Sequence, residues 1–213
     1  MAEEMTGLPE SAYDVLLKLD GEPSSAVLDA HRTAHDQLIR RPMEQLAAAL
    51  DPVAGCGFCV SGRSGQPRSW QRTNATAWIA RRVRMTVEFD LDGLTVEGGW
   101  SGGAGPALTR YREAAAADGS GEELAEIAAV LDRTGYEFTG RLMTRPPRGY
   151  PPDHPRADLL RRRSAFAQLW LGAGAWVHTP EVVDRVRDAL VPLLELTSWV
   201  VDHVAIGGFA EVD

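Results

Sequence analysis

The sequence predicts an α+β fold, with a central, mainly antiparallel sheet flanked by helices and built as a single domain. Three observations carry that expectation. In the middle of the chain Val83, Met85, Val87, Phe89 and Leu91 alternate with Arg84, Thr86, Glu88 and Asp90, the period of two of a strand with one buried face. On both sides of this stretch the apolar spacing changes to that of amphipathic helices, which segregates helices from strands along the chain. The length of 213 residues, with 44% hydrophobic and 24% charged, suits one medium-sized core.

The elements follow in order. Residues 1–9 are expected to form a flexible N-terminus, residues 10–205 the domain, and residues 206–213 a C-terminal tail. Ala12, Val15, Leu16 and Leu19 are spaced as a helix that Asp20-Gly21 stops. Ser24 and Ser25 can cap a second helix with Leu28, His31, His35 and Leu38 on one face, which Pro42 breaks or restarts before Met43, Leu46 and Leu50. From Pro52 to Asn74 the chain is rich in glycine, serine and arginine without a sustained period, a loop long enough to be functional. The alternating run then leads into Asp92-Gly93 and resumes in Leu94-Thr95-Val96-Glu97, the clearest hairpin of the chain.

Beyond the hairpin, one helix opens at Pro106 and runs to about Ala117, and another opens at Ser120 with Glu123 at capping-box spacing and closes at Gly135. Tyr136 to Met143 reads as a strand, Pro155 starts a short helix through Leu159 and Leu160, and Ala165 to Leu171 reads as another strand. Thr179-Pro180 opens a long helix carrying Val182, Val183, Val186, Leu190 and Leu194, which Pro192 is expected to divide.

Charge and motif content narrow the function. No apolar run is long enough to span a bilayer and the first residues are acidic, so a cytoplasmic protein is expected, with no membrane partner. A net charge of -8 argues against nucleic acid, whose phosphates need a basic surface. Of 22 basic residues only Lys18 is a lysine, so this chain meets anions almost entirely with the planar fork of arginine. Gly98-Gly99-Trp100-Ser101-Gly102-Gly103 lacks the order of a phosphate-binding loop, and Gly62-Arg63-Ser64-Gly65 misses the spacing of a nucleophile elbow. Neither an organic cofactor nor serine hydrolase chemistry is expected.

Cys56-Gly-Phe-Cys59 is open to several readings: half a metal site completed by His31 and His35, which sit four apart on one helix face, a redox pair, or two packed thiols. Ordinary packing is the expectation, with no bound metal.

Two constellations can carry chemistry. If Asp92-Gly93 makes a type I′ turn, Leu91 faces Leu94, Phe89 faces Val96, and Glu88 faces Glu97. Opposed carboxylates need a bridging cation or a retained proton, and Arg84, on the same face as Glu88, is the obvious bridge. The pair is then either a solvated face neutralised by arginine or a polar pocket in which a glutamate acts as acid or base. The second constellation is Arg145-Pro-Pro-Arg-Gly-Tyr-Pro-Pro-Asp-His-Pro155, where five prolines limit the freedom of Arg145, Arg148, Tyr150 and His154. It is either a clamp for an anion or a structural turn in which His154 caps a helix and Tyr150 packs beneath.

The run from Leu142 through Arg145-Pro-Pro-Arg-Gly-Tyr-Pro-Pro-Asp-His-Pro-Arg to Phe166 resembles the signature of a widespread bacterial family, the domain of unknown function 2461 family. Ala30-His31-Arg32, the later Pro42 and the helical pair from Thr179 onward are similar to further features of that family. The chain departs from it in Gly62-Arg63-Ser64-Gly65-Gln66-Pro67-Arg68-Ser69-Trp70, where the family carries an Arg-Phe-Ser-Lys-Asp-Lys-Thr-Pro-Tyr type motif. The resemblance implies an α+β fold and no established activity.

The leading expectation is a small cofactor-independent enzyme acting on an anionic small molecule, in specialised metabolism. Arg84, Arg145, Arg148, Tyr150 and His154 would bind the substrate, and Glu88 or Glu97 would serve as general acid or base. Elimination, cyclisation with loss of sulfate or phosphate, and hydrolysis all suit that constellation. The alternative is a non-catalytic binding or partner subunit of a protein complex, or a homodimer.

Overall fold

The fold is α+β, as the computed structural model of the chain shows for residues 5–61, 68–145 and 147–205. Its six-stranded antiparallel sheet runs in the order β1-β2-β3-β4-β6-β5. The strands are β1 (Cys59–Val60), β2 (Thr73–Ala80), β3 (Val83–Asp90), β4 (Gly93–Trp100), β5 (Glu137–Thr139) and β6 (Ala165–Gly172). The helices are α1 (Ser11–Lys18), α2 (Ser25–His35), α3 (Arg41–Ala54), α4 (Arg68–Gln71), α5 (Pro106–Ala116), α6 (Ser120–Arg133), α7 (Ala157–Leu160) and α8 (Glu181–His203). By internal packing the chain divides into two compact units. The first comprises Met1–Ala77, Thr86–Val96 and Trp170–Leu190, the second Trp78–Met85, Glu97–Leu169 and Val191–Asp213.

In the first unit, the Ser24 hydroxyl accepts the Val27 N–H at 3.4 Å and opens α2 as its sequence predicts. Pro42 neither breaks nor restarts the helix. A π-helical turn, Asp36–Arg40, joins α2 to α3, with the Arg41 N–H donating five residues back to the Asp36 carbonyl, and this widened turn carries the run into Pro42, which has no N–H to donate, without a break. Of the N-terminal stretch expected to be flexible, residues 1–4 lie outside the described residues, while Met5 and Leu8 are buried and the Leu8 N–H donates to the Val177 carbonyl at 2.9 Å. The tail 206–213 also lies outside the described residues. Tyr13 meets Phe89 and His178 edge-on, with centroids 5.3 and 5.8 Å away.

The hairpin forms one residue earlier than expected. Its turn is Leu91-Asp92, between Asp90 and Gly93. A type I′ turn needs positive φ at Asp92, whereas among the described residues only Arg82 departs from negative φ without being glycine. The Asp90 carboxylate instead accepts the Asp92 N–H at 2.9 Å, an Asx turn that settles the chain reversal before the glycine. Pairing Asp90 with Gly93 opposes Glu88 to Thr95, so Glu88 and Glu97 are not a facing pair.

The second unit is built around aromatic residues. Trp199 on α8 donates its indole N–H to the Ser120 carbonyl at 2.8 Å and lies edge-on to Tyr111, whose ring stands 5.3 Å from that of Trp100. Burial pushes the Tyr111 hydroxyl well above the ordinary tyrosine range, and the neutral group donates to the Leu159 carbonyl at 3.0 Å. The capping box at α6 does not form: Gly119 is the cap, and the Ser120 hydroxyl donates back to Ala114 at 2.8 Å. Pro192 does not divide the last helix, which runs 23 residues as α8. A proline inside a helix costs about 3 kcal/mol. Leu193, Leu196 and Val200, all fully buried in the second unit, offset that loss.

Candidate functional site

The second unit carries a polar constellation on the sheet. Arg84 of β3 donates to the Glu97 carboxylate of β4 at 2.9 Å, each side chain about a quarter exposed. The same guanidinium lies over Phe166 of β6 at 4.5 Å from the ring centroid and 5.9 Å from that of Trp78 on β2. Arg84 is thus held by one charge and two rings, and its partner is Glu97 alone of the two glutamates expected to share it. In the first unit Glu88 is served by Arg72, 3.5 Å away, and the same arginine lies 3.6 Å from Asp90. Arg72 is 61% exposed, so this pair contributes little to stability.

In the proline-rich segment Arg145 and Arg148 are exposed, and Tyr150 and His154 half-buried. Pro146 lies outside the described residues. His154 accepts the Arg156 N–H on Nδ1 at 3.0 Å, and its own carbonyl accepts the Ala157 N–H at 2.9 Å, which ties it to the start of α7. The arginine that anchors this region is Arg156. Its guanidinium donates to Ala115, Ala116 and Ala117 at 2.8, 2.7 and 3.2 Å, capping the carbonyl end of α5, and its side chain is only 10% exposed.

A further constellation of cations lies elsewhere. Arg82, Arg141 and Arg163 line a groove of about 570 Å³ in the second unit, with Ser101, Ser164 and Phe166. Arg82 sits at the two-residue turn between β2 and β3 at φ 65°, a left-handed conformation that costs about 1–2 kcal/mol in a non-glycine residue. Its guanidinium donates to the Gly102 carbonyl at 2.9 Å and so pins the chain leaving β4. Arg141 and Arg163 face each other across a backbone pair, the Arg163 N–H donating to the Arg141 carbonyl at 2.8 Å. The Ser164 hydroxyl accepts the Arg141 N–H at 2.9 Å.

Among the described residues neither Arg141 nor Arg163 has a side-chain ion pair or hydrogen bond, and no carboxylate, histidine or thiol lines the groove. Two glycines of its lining leave no room for a side chain: a Cβ at Gly102 would stand 2.1 Å from the Arg163 carbonyl oxygen, and one at Gly140 would stand 2.2 Å from the Ser164 hydroxyl oxygen.

These three arginines come from three separated segments, and only Arg163 lies in a basic triplet, Arg161-Arg162-Arg163. Phe166 joins the two constellations, since it lines the groove and carries Arg84 on its ring.

Cys56 and Cys59 are free thiols, half-buried and exposed respectively. His31 meets the Val27 carbonyl at 2.9 Å through Nδ1, and His35 meets the Trp70 carbonyl at 3.1 Å through Nε2. Among the described residues no group of three or more His, Cys, Asp or Glu is gathered that could hold a metal ion. Burial first, then the charges of Asp51 and Cys59, pushes the Cys56 thiol up. Its thiolate therefore appears at higher pH than that of a free thiol, and mass-spectrometric alkylation of Cys56 should rise on the alkaline side of the glutathione curve. A curve at or below glutathione would mark it as an activated nucleophile.

An α+β protein with an arginine-lined groove beside its antiparallel sheet is the class these features define. The chain belongs to the family of conserved hypothetical proteins DUF2461, whose model matches residues 70–199. The proline-rich segment and most of α8 lie within the match. Ala30-His31-Arg32, Pro42 and most of the Gly62–Trp70 loop precede it, and residues 62–67 of that loop lie outside the described residues. No curated protein and no solved structure matches the chain. Among the described residues no helix is long and apolar enough to cross a membrane.

Proposed function

We propose that this protein takes a small anionic molecule into the groove lined by Arg82, Arg141 and Arg163 and acts on it without an organic cofactor. The observation that carries the reading is the groove itself: three guanidiniums and no carboxylate around about 570 Å³, with Arg141 and Arg163 unspent on any described residue. Uncompensated cations repel one another, and an anion relieves that repulsion while filling their planar forks. The clamp expected in the proline-rich segment moves accordingly, from Arg145 and Arg148 to Arg141 and Arg163.

Of the two expected acid–base residues, Glu97 suits the reading better, because it is linked to the groove wall through Arg84 and Phe166. A ligand that draws Arg84 toward its own charge would leave Glu97 to accept a proton, as an elimination or hydrolysis requires.

Binding to the native state raises thermal stability by mass action, so a thermal-shift series against sulfate, phosphate and small carboxylates tests the site. At least one anion should raise the melting temperature of the native chain, and Arg163→Ala and Arg141→Ala, both at exposed side chains, should abolish the shift while leaving the ligand-free melting temperature nearly unchanged. Absence of any shift, or shifts that both variants retain, would move the assignment to a partner subunit.

A further inference from the structure

We infer that the ligand of this groove presents a dianionic oxyanion, a phosphate monoester rather than a carboxylate or a phosphodiester. The inference rests on the anion-binding reading of the same site and names its chemistry. Three permanently charged side chains, Arg82, Arg141 and Arg163, surround the space, and no Asp or Glu among the lining residues reduces their charge. A monocarboxylate has two oxygens in one plane and fills one guanidinium fork, which would leave the remaining cations uncompensated. A phosphate monoester carries about -1.5 to -2 charges near neutral pH and three strong acceptor oxygens, enough to engage forks arriving from three segments.

One neutral donor agrees. The Ser164 hydroxyl accepts the Arg141 N–H, so its own O–H is left to donate, while Ser101, on the same lining, donates its hydroxyl to the Arg82 carbonyl at 3.4 Å. A phosphodiester has two non-bridging oxygens and a single charge, and matches the three cations poorly.

A consequence separates ligand from protein. The lining holds no His, Asp, Glu or Cys, and its arginines keep their charge across the accessible range, while behind Phe166 stands the Arg84–Glu97 ion pair. Any change of affinity between about pH 5 and 8 therefore belongs to the second ionisation of the phosphate, near pH 6. Sulfate, a dianion throughout, is the control for any titration of the protein.

Isothermal titration of the full chain with phenyl phosphate, sulfate, dimethyl phosphate and acetate tests this. Near pH 7.5, phenyl phosphate and sulfate should bind at least about tenfold more tightly than dimethyl phosphate and acetate. On going to about pH 5, phenyl phosphate should weaken by roughly tenfold as its dianion is protonated, while sulfate stays level. Arg141→Ala and Arg163→Ala should each weaken phenyl phosphate.

Acetate or dimethyl phosphate binding as tightly as phenyl phosphate, or a phenyl phosphate affinity that does not change with pH, would overturn the dianion inference and leave the anion site standing. Failure of all four probes to bind would remove the site and the inference together.

Discussion

Replacement of Gly102 by alanine should lower stability by on the order of 4 kcal/mol and close the groove at the same time. The residue is buried at φ 80°, a conformation that costs a side-chain-bearing residue energy before any contact is considered. The added Cβ would then stand 2.1 Å from the Arg163 carbonyl oxygen, 2.9 Å from the Ser164 Cβ and 3.0 Å from the Arg163 carbonyl carbon. Two of those atoms are backbone, so no rotamer change relieves the clash, and the segment carrying Arg163 and Ser164 has to shift.

For a chain of this length, a loss of that size lowers the melting temperature by roughly 8 to 16 °C. Gly149→Ala is the internal control: φ is 93° but the space around it is open, so it should cost only about 1–2 kcal/mol. Equal melting temperatures for the two variants would mean that the approach of residues 102 and 163 does not govern stability.

Trp199→Ala should cost about 3–5 kcal/mol, because it removes a fully enclosed aromatic ring and leaves a cavity that the helices cannot collapse into. Trp199 is 2% exposed and contacts the rings of Tyr111 and His203 with centroids 6.1 and 5.0 Å away. Its indole N–H also satisfies the Ser120 carbonyl in the first turn of α6. Trp199→Phe keeps most of the volume and loses that bond, so its cost should fall to about 1 to 2 kcal/mol. Chemical denaturation of both variants separates the two contributions, and near-equal losses would show the hydrogen bond, not the ring, to be what Trp199 supplies.

How much of this was legible in sequence differs by element. The β3–β4 hairpin and the amphipathic helices were readable because large apolar residues mark their periods. Strand β2 was not, because its buried positions include Thr73, Ala75 and Ala77, side chains too small and too mixed in polarity to mark a period against a neighbouring loop. The sequence points to a turn one residue late because Asp-Gly favours type I′ geometry, whereas the Asp90 side chain bonds to the Asp92 N–H. The pattern from Tyr136 to Met143 predicts one strand, yet β5 stops at Thr139, ahead of Gly140, and a single bridge between Leu142 and Arg162 follows.

The arginines of the candidate groove are visible in composition and not in place. An arginine-rich composition points to an anion, but Arg82, Arg141 and Arg163 are made neighbours only by a turn, a backbone pair and β6, and no local pattern announces that. Arg84 is expected to bridge Glu88 and Glu97; it pairs with Glu97, whereas Glu88 lies beside Arg72, a residue of the aperiodic loop.

The glycines of the groove lining have a consequence for how such a site diversifies. Gly102 and Gly140 exchange for nothing larger, whereas Arg141 and Arg163 are exposed and, among the described residues, tied to the rest of the molecule only through their backbone and neighbours in sequence. On the proposed anion-binding reading, the backbone of the groove and its charge are thus encoded separately, and substitution of Arg141 or Arg163 would change the charge while leaving the glycine approaches intact.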